Sequence, residues 1–184
     1  MEWEKKDGNI RLTFDDGPHP TITPWVVDIL NKYNIKATFF CVGDNAVKHP
    51  EIIELLKANG HQIANHTHNH VNGWKTDTKE YLDNVSLANK TLQSNLFRPP
   101  YGKIKKAQRK EIEKNYRIIQ WSLLSGDFDP NLKKEKALRV LCNQTNGGDI
   151  VVFHDSEKAK ENLEFLLPKY LEYCIQNKLK FALL

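Results

Sequence analysis

The chain has 184 residues, 27 basic and 23 acidic side chains and a net charge of +4; 40% of the residues are hydrophobic and 27% charged. That composition suits one globular domain, residues 1–184, with a proper core; no apolar run approaches the length of a membrane span. Cys41, Cys142 and Cys174 share no paired spacing and sit among apolar residues, which reads as buried thiols rather than a disulfide scaffold or a thiolate cage.

The chain opens Met1-Glu2-Trp3-Glu4-Lys5-Lys6, with no secretory leader, although a leader or anchor can precede it in the native protein. The first strand candidate is Ile10–Phe14, and Asp15-Asp16-Gly17-Pro18 follows at once, so both carboxylates stand at the strand's mouth. Ala37–Val42 is the second strand candidate. Pro50 to Asn59 reads as a helix: Pro50 suits its first position, Ile52, Ile53 and Leu56 share a face, and Gly60 suits the stop. Gln62–Asn65 is a third strand candidate and runs into His66-Thr67-His68-Asn69-His70. Residues 78–95 form an amphipathic helix candidate with Tyr81, Leu82, Val85 and Leu92 inward.

Leu96–Arg98 leads into Pro99-Pro100-Tyr101-Gly102. Lys103, Lys105, Lys106, Arg109 and Lys110 are the one dense basic cluster. A nucleic-acid site would use such a patch, but a solvated helix face is the commoner role and the one expected here. Ile118–Trp121, Asp149–Phe153 and Lys180–Leu184 complete the strand candidates, the second of them ending on His154-Asp155. Residues 158–176 carry Leu163, Leu166, Leu167, Tyr170, Leu171, Cys174 and Ile175 at helical spacing, with Pro168 expected to kink the helix or mark its first turn.

Alternating strands and helices imply an α/β fold with a mainly parallel sheet. Asp15 and Asp16, His66, Arg98 and His154 each follow a strand, so a βα barrel brings them to one mouth. His66 and His70 are four apart, which can set both imidazoles on one side of a helical turn. With Asp16 they make a three-ligand metal site with an open position, while His68 points elsewhere. Asp15 is placed to accept a proton from water, and Arg98 to hold Asp15 ionised and aimed. Two prolines stiffen the following loop, whose Tyr101 N–H can face a developing oxyanion. His154 is the candidate acid, oriented by Asp127. Pro100, Tyr101, Trp121 and Val152 are the substrate-facing candidates, the last two as an apolar slot for a small acyl group. His19, His49 and His61 are expected to be surface or capping residues.

From about Ile10 to the C terminus the chain resembles the polysaccharide deacetylases of carbohydrate esterase family four, the group with the NodB-type domain. Thr13-Phe14-Asp15-Asp16-Gly17-Pro18, His66-Thr67 with His70, Arg98-Pro99-Pro100-Tyr101-Gly102 and the apolar run into His154-Asp155 appear in the family's order. The resemblance implies a distorted (β/α) barrel with about seven strand–helix repeats. It implies hydrolysis of acetyl groups from N-acetylated sugars of a polysaccharide such as peptidoglycan or chitin-type polymers, releasing acetate. An O-acetyl esterase acting on xylan-type polymers and a catalytically dead sugar-binding domain are the alternatives. By the same resemblance Asp15 is base, Asp16, His66 and His70 bind the metal, Arg98 orients the base, Tyr101 serves the oxyanion and His154 is the acid. The metal expected is Zn²⁺, with Co²⁺, Ni²⁺ or Mn²⁺ as alternatives. A polysaccharide or oligosaccharide is the expected partner, with no nucleic acid and no membrane span. A monomer acting in the envelope or outside the cell is expected. One departure stands out: the family often shows Asp-Trp where this chain has Asp127-Phe128, and no acid sits at Leu124.

Overall fold

Seven short strands lie side by side in the order β5-β4-β3-β2-β1-β7-β6, and every pairing is parallel. They are β1 (Arg11–Asp15), β2 (Thr38–Cys41), β3 (Gln62–Asn65), β4 (Leu96–Phe97), β5 (Arg117–Ile118), β6 (Leu123–Leu124) and β7 (Ile150–His154). The structure is a computed structural model and describes residues 8–184; the chain's opening hexapeptide lies outside them. The helices are α1 (Ile22–Lys32), α2 (Gly43–Lys48), α3 (Pro50–Ala58), α4 (Thr78–Leu92), α5 (Lys106–Ile112), α6 (Lys134–Gln144) and α7 (Lys160–Gln176). The sheet curls into a half-barrel with the helices outside it, as the strand–helix alternation predicts.

The central strands β1, β2 and β7 are buried on both faces, and the alternation along the sheet sorts two cores. Phe40, Ala64, Leu96, Ile119 and Ile150 fill the inside of the curl, with Trp121 and Leu184 packed against them. Leu12, Phe14, Phe39, Val151 and Phe153 face the other way into a larger cluster with residues of α1 and α7. Phe14 stacks on Phe39 at 4.9 Å and on Phe153 at 6.0 Å between ring centroids. A third cluster, Tyr81, Val85, Phe97, Ile112 and Ile118, seats α4 and α5.

The regular repeat fails in one place. Between β5 and β6 there is no helix, only residues 119–122. Ile119 N–H donates to Phe97 O at 2.8 Å and Ser122 N–H to Ile150 O at 3.1 Å, so this segment reaches from one edge of the sheet to the other. The expected strand Ile118–Trp121 is therefore mostly a crossing segment. β6 is too short, and too closely flanked by Ser122 and Ser125, for periodicity to signal it. Lys180–Leu184 is not a strand: it forms one isolated bridge, Ile10 to Phe181.

Pro50 opens α3 and Gly60 follows it at φ +73°, as expected. Pro168 lies inside α7, which starts at Lys160, so it does not mark a first turn. Ile175 is 43% exposed rather than inward. The three cysteines are free and buried. His61 also departs from expectation. It is buried, its Nδ1 accepts from Ala37 N–H at 3.2 Å, and its ring meets Phe39 edge-on; burial pushes its pKa down to about 4. His19 does cap, accepting from Thr21 and Ile22 N–H, and His49 sits half-buried between α2 and α3.

Candidate functional site

The C-terminal ends of the strands open on a cleft of about 840 Å³ lined by Asp15, Asp16, His66, His70, Tyr101, Trp121, Val152 and His154, among others. Strand register sets the first contact: Asp15, last in β1, lies opposite His154, last in β7. Asp15 is buried and its Oδ1 accepts from Arg98 Nη1 at 2.6 Å. Arg98 is wholly buried. Its Nη1 also donates to Thr13 Oγ1 at 2.8 Å, its Nε to Ile119 O at 3.3 Å and its Nη2 to Gln120 O at 3.4 Å. Its guanidinium lies 4.0 Å over the Phe40 ring. A buried cation with this many partners holds Asp15 in one orientation. The crossing segment supplies two of those partners, so the irregular part of the sheet is built into the site.

Asp16 turns the other way because its backbone is left-handed, φ +80°. Its Oδ1 lies 3.1 Å from His70 Nε2 and 3.7 Å from His66 Nε2. Ligand atoms of Asp16, His66 and His70 all fall within 4.8 Å of one another, a group that can hold a metal ion. His66 Nδ1 sits 2.8 Å from Arg98 O. Donation to that carbonyl leaves the Nε2 lone pair facing Asp16 and His70, the tautomer a ligand needs. Burial lowers the His66 pKa to about 4 against the pull of Asp15 and Asp16, so the ring is neutral near pH 7. Burial opposes ionisation of Asp16, yet the hydrogen bond from His70 and the imidazoles of His66 and His154 outweigh it and hold the carboxyl well below the usual range. A neutral imidazole beside an ionised carboxylate is the donor set a divalent cation requires.

The two imidazoles are not brought together by a helical turn. Residues 66–72 are irregular, and Thr67 and His70 have positive φ of 64° and 53°. The loop is held by side chains: Asn65 Oδ1 accepts from Thr67 N–H, Thr67 Oγ1 from Val71 N–H, and Asn84 Oδ1 from both His68 and Asn69 N–H. His68 points away, as expected, with its Nδ1 buried near Gly43 and Ala88.

On the far wall, Asp127 is wholly buried and its two oxygens take His154 Nδ1 and His154 N–H, both at 2.7 Å. Burial pushes His154 down, but the Asp127 hydrogen bond and charge, with Asp15 and Asp16 behind them, raise its pKa to about 9. Phe128, in place of the family's tryptophan, packs edge-on against His154 at 5.1 Å. Tyr101 has φ +60°, its ring meets His70 at 4.7 Å, and its N–H has no acceptor among the described residues. Trp121 and Val152 line the cleft, whereas Pro100 is buried in the turn Pro100–Gly102 and is not among the lining residues.

Asp155 is the polar residue that sequence reasoning passed over. It is buried, and accepts from Thr23 Oγ1 at 2.5 Å and from Gly17 N–H at 3.1 Å, tying α1 and the Asp16 turn to the end of β7. Its only signal was its place after His154.

The family model for polysaccharide deacetylases matches residues 3–118. The chain belongs to the polysaccharide deacetylase family. A peptidoglycan-N-acetylglucosamine deacetylase of Bacillus cereus is 40% identical over 126 residues, 65% of this chain and 46% of that protein. The PgdA peptidoglycan-N-acetylglucosamine deacetylase of Listeria monocytogenes is 35% identical over 161 residues, 84% of this chain and 34% of that one. The chain thus spans less than half the length of either of these two relatives. The crystal structure of the Bc1960 peptidoglycan N-acetylglucosamine deacetylase, bound to an N-hydroxybenzamide, superposes with a TM-score of 0.91 at 29% identity, covering 98% of this chain and 87% of that one. The half-barrel is therefore that of the polysaccharide deacetylases, and no helix among the described residues is long and apolar enough to cross a membrane.

Proposed function

We propose that the chain is a metal-dependent carbohydrate N-deacetylase that removes acetyl groups from N-acetylated sugars of peptidoglycan or a chitin-type polymer. One observation carries this reading: a cation-held carboxylate, an Asp-His-His group and a histidine held by a buried carboxylate face one cleft, from Asp15 with Arg98, Asp16 with His66 and His70, and His154 with Asp127. Asp16, His66 and His70 would hold a divalent ion, and two imidazoles with one carboxylate suit Zn²⁺ well, with Co²⁺, Ni²⁺ or Mn²⁺ as alternatives. Such an ion supplies Lewis acidity to the acetyl carbonyl and to water.

The chain's own groups do the rest. Arg98 holds Asp15 aimed into the cleft, and Asp15 takes a proton from water as the water oxygen bonds to the acetyl carbon. The Tyr101 N–H, with no acceptor among the described residues, donates to the oxyanion as it forms. His154, charged near pH 7, gives its proton to the amide nitrogen as the C–N bond breaks. Acetate and a free amino sugar leave. Trp121 and Val152 shape the apolar wall for the acetyl methyl group. Relatives named for peptidoglycan support action in the envelope or outside the cell.

The test is acetate release by the Zn²⁺-loaded chain from N-acetylglucosamine oligomers, peptidoglycan and acetylated xylan. The expected outcome is release from the N-acetylated polymers, cut by about 10³-fold or more in Asp15→Asn with metal affinity retained. Acetate from xylan alone, or full activity in Asp15→Asn, overturns the reading.

A further inference from the structure

Two lysines line the cleft, and neither sits in an ion pair among the described residues. Lys103 is placed with its Nζ 5.1 Å over the Trp74 ring, on the His70 and Tyr101 side. Lys158 has its Nζ 5.6 Å over Phe128, the ring that packs on His154. Two acids of the cleft wall have cationic partners of their own. Asp44 pairs with Lys48 at 2.5 Å and Asp15 with Arg98, whereas Glu157 lies 3.5 Å from the His19 imidazole, whose pKa burial holds below its ordinary value. Lys103 and Lys158 thus stand at two walls of the cleft, one beside His70 and Tyr101 and the other beside His154.

The Lys103 seat is built rather than incidental. Trp74 is 60% exposed, an unusual position for so large a ring, and its loop is pinned from beneath by Gln108, which is wholly buried. Gln108 Nε2 donates to Gly73 O at 2.9 Å and Thr76 O at 3.2 Å, while its Oε1 accepts from Lys105 N–H at 2.9 Å. Gly73 presses on the Lys103 carbonyl so closely that a Cβ there would collide with it. Loop 73–76 and loop 100–104 are thus locked together, and Lys103, its ammonium over the Trp74 ring, lines the cleft.

We propose that Lys103 on Trp74 and Lys158 on Phe128 bind carboxylates on the units next to the reacting sugar. On this reading the chain selects an acidic N-acetylated glycan over a neutral one of equal length. The inference rests on the deacetylase reading above and narrows its substrate class. The carboxylate has two sources in such a glycan: a lactyl ether on the neighbouring sugar, or a peptide attached to it. Charge at a cleft rim acts on encounter and register more than on the chemical step, so its effect is in kcat/KM and is weakened by salt.

Three tetrasaccharides separate the outcomes: neutral N-acetylglucosamine, the alternating N-acetylglucosamine–N-acetylmuramic acid form, and that form with its peptides. With the Zn²⁺-loaded chain, the acidic forms should give the higher kcat/KM at low salt, and the advantage should shrink as salt rises. Lys103→Gln and Lys158→Gln should each lower the acidic-to-neutral ratio about three- to five-fold, and together about ten-fold, while Lys103→Arg keeps it. A ratio lost on the lactyl form assigns the lactyl group; one lost only on the peptide form assigns the peptide. An unchanged ratio in the double variant, or a preference indifferent to salt, overturns the proposal. Calorimetric binding of the same sugars to the metal-free chain keeps the two readings apart. No acetate from any sugar, with tighter acidic binding lost in the double variant, sinks the deacetylase reading and upholds the carboxylate site; equal binding of acidic and neutral sugars sinks the site.

Discussion

Both oxygens of the buried Asp127 are spent on one neighbour, the ring and the backbone of His154. That doubly bound carboxylate is what keeps the imidazole charged in a place where burial alone would discharge it. The folded pKa, about 9, lies above the ordinary 6.5, so the interaction stabilises the fold fully below the ordinary value and is lost as pH rises through about 9. The acid needed for catalysis disappears over the same rise. Asp127→Asn should therefore move the alkaline limb of the kcat/KM profile down toward 6.5, which a profile from pH 5 to 10 on N-acetylglucosamine oligomers would read. An unmoved limb rules out Asp127 as the group that holds His154 charged. Arg98 makes the matching argument for Asp15. Arg98→Met leaves a buried carboxylate without its cation, and denaturant titration should find a loss of about 3–5 kcal/mol.

Short elements, rather than the long helices, align the site. α2 has six residues and touches both loops that carry candidate ligands. Asn45 Nδ2 donates to Asp16 O at 2.9 Å, while Gly43 and Asp44 N–H donate to Thr67 O and His68 O, both at 2.9 Å. α2 also rests on α4 so closely that a Cβ on Gly43 would lie 2.8 Å from the Ala88 Cα and 2.7 Å from His68 Nδ1. Gly43→Ala must push α2 outward and part Asp16 from His66 and His70. The expected result is a drop in metal affinity of about ten-fold or more with far-UV circular dichroism unchanged, measured by competition with a chelating dye. Little about α2 could be read from sequence, because six residues of Gly-Asp-Asn-Ala-Val-Lys have no helical period to detect. α3 was legible through Pro50 and its apolar face, and α7 through its spacing, although Pro168 suggested a later start than the helix has. The His66–His70 spacing suggested a helical turn, and the pairing is real, but two left-handed residues and three side-chain clamps produce it.

At the scale of the whole molecule, the site depends on the outer core that sets the strands in register. Phe14 belongs to the same strand as Asp15 and packs between Phe39 and Phe153 with no exposed surface. Phe14→Ala should cost about 3–5 kcal/mol of unfolding free energy in urea, and activity should fall before the fold is lost, because β1 and β7 carry Asp15 and His154 opposite each other. The residue types of the site, its four groups of polar residues after apolar runs, and the parallel α/β architecture were all determined by sequence, since apolar periodicity and strand-end chemistry are local. Tertiary structure alone decided that residues 119–122 cross from one sheet edge to the other and hold Arg98, that Lys180–Leu184 is a bridge and not a strand, and that His61 is core. Asp155, too, became a tie between β7, α1 and the Asp16 turn only in three dimensions. Each of these rests on contacts between residues far apart in the chain, where the closing of the sheet, and not the pattern of neighbours, settles which backbone group meets which side chain.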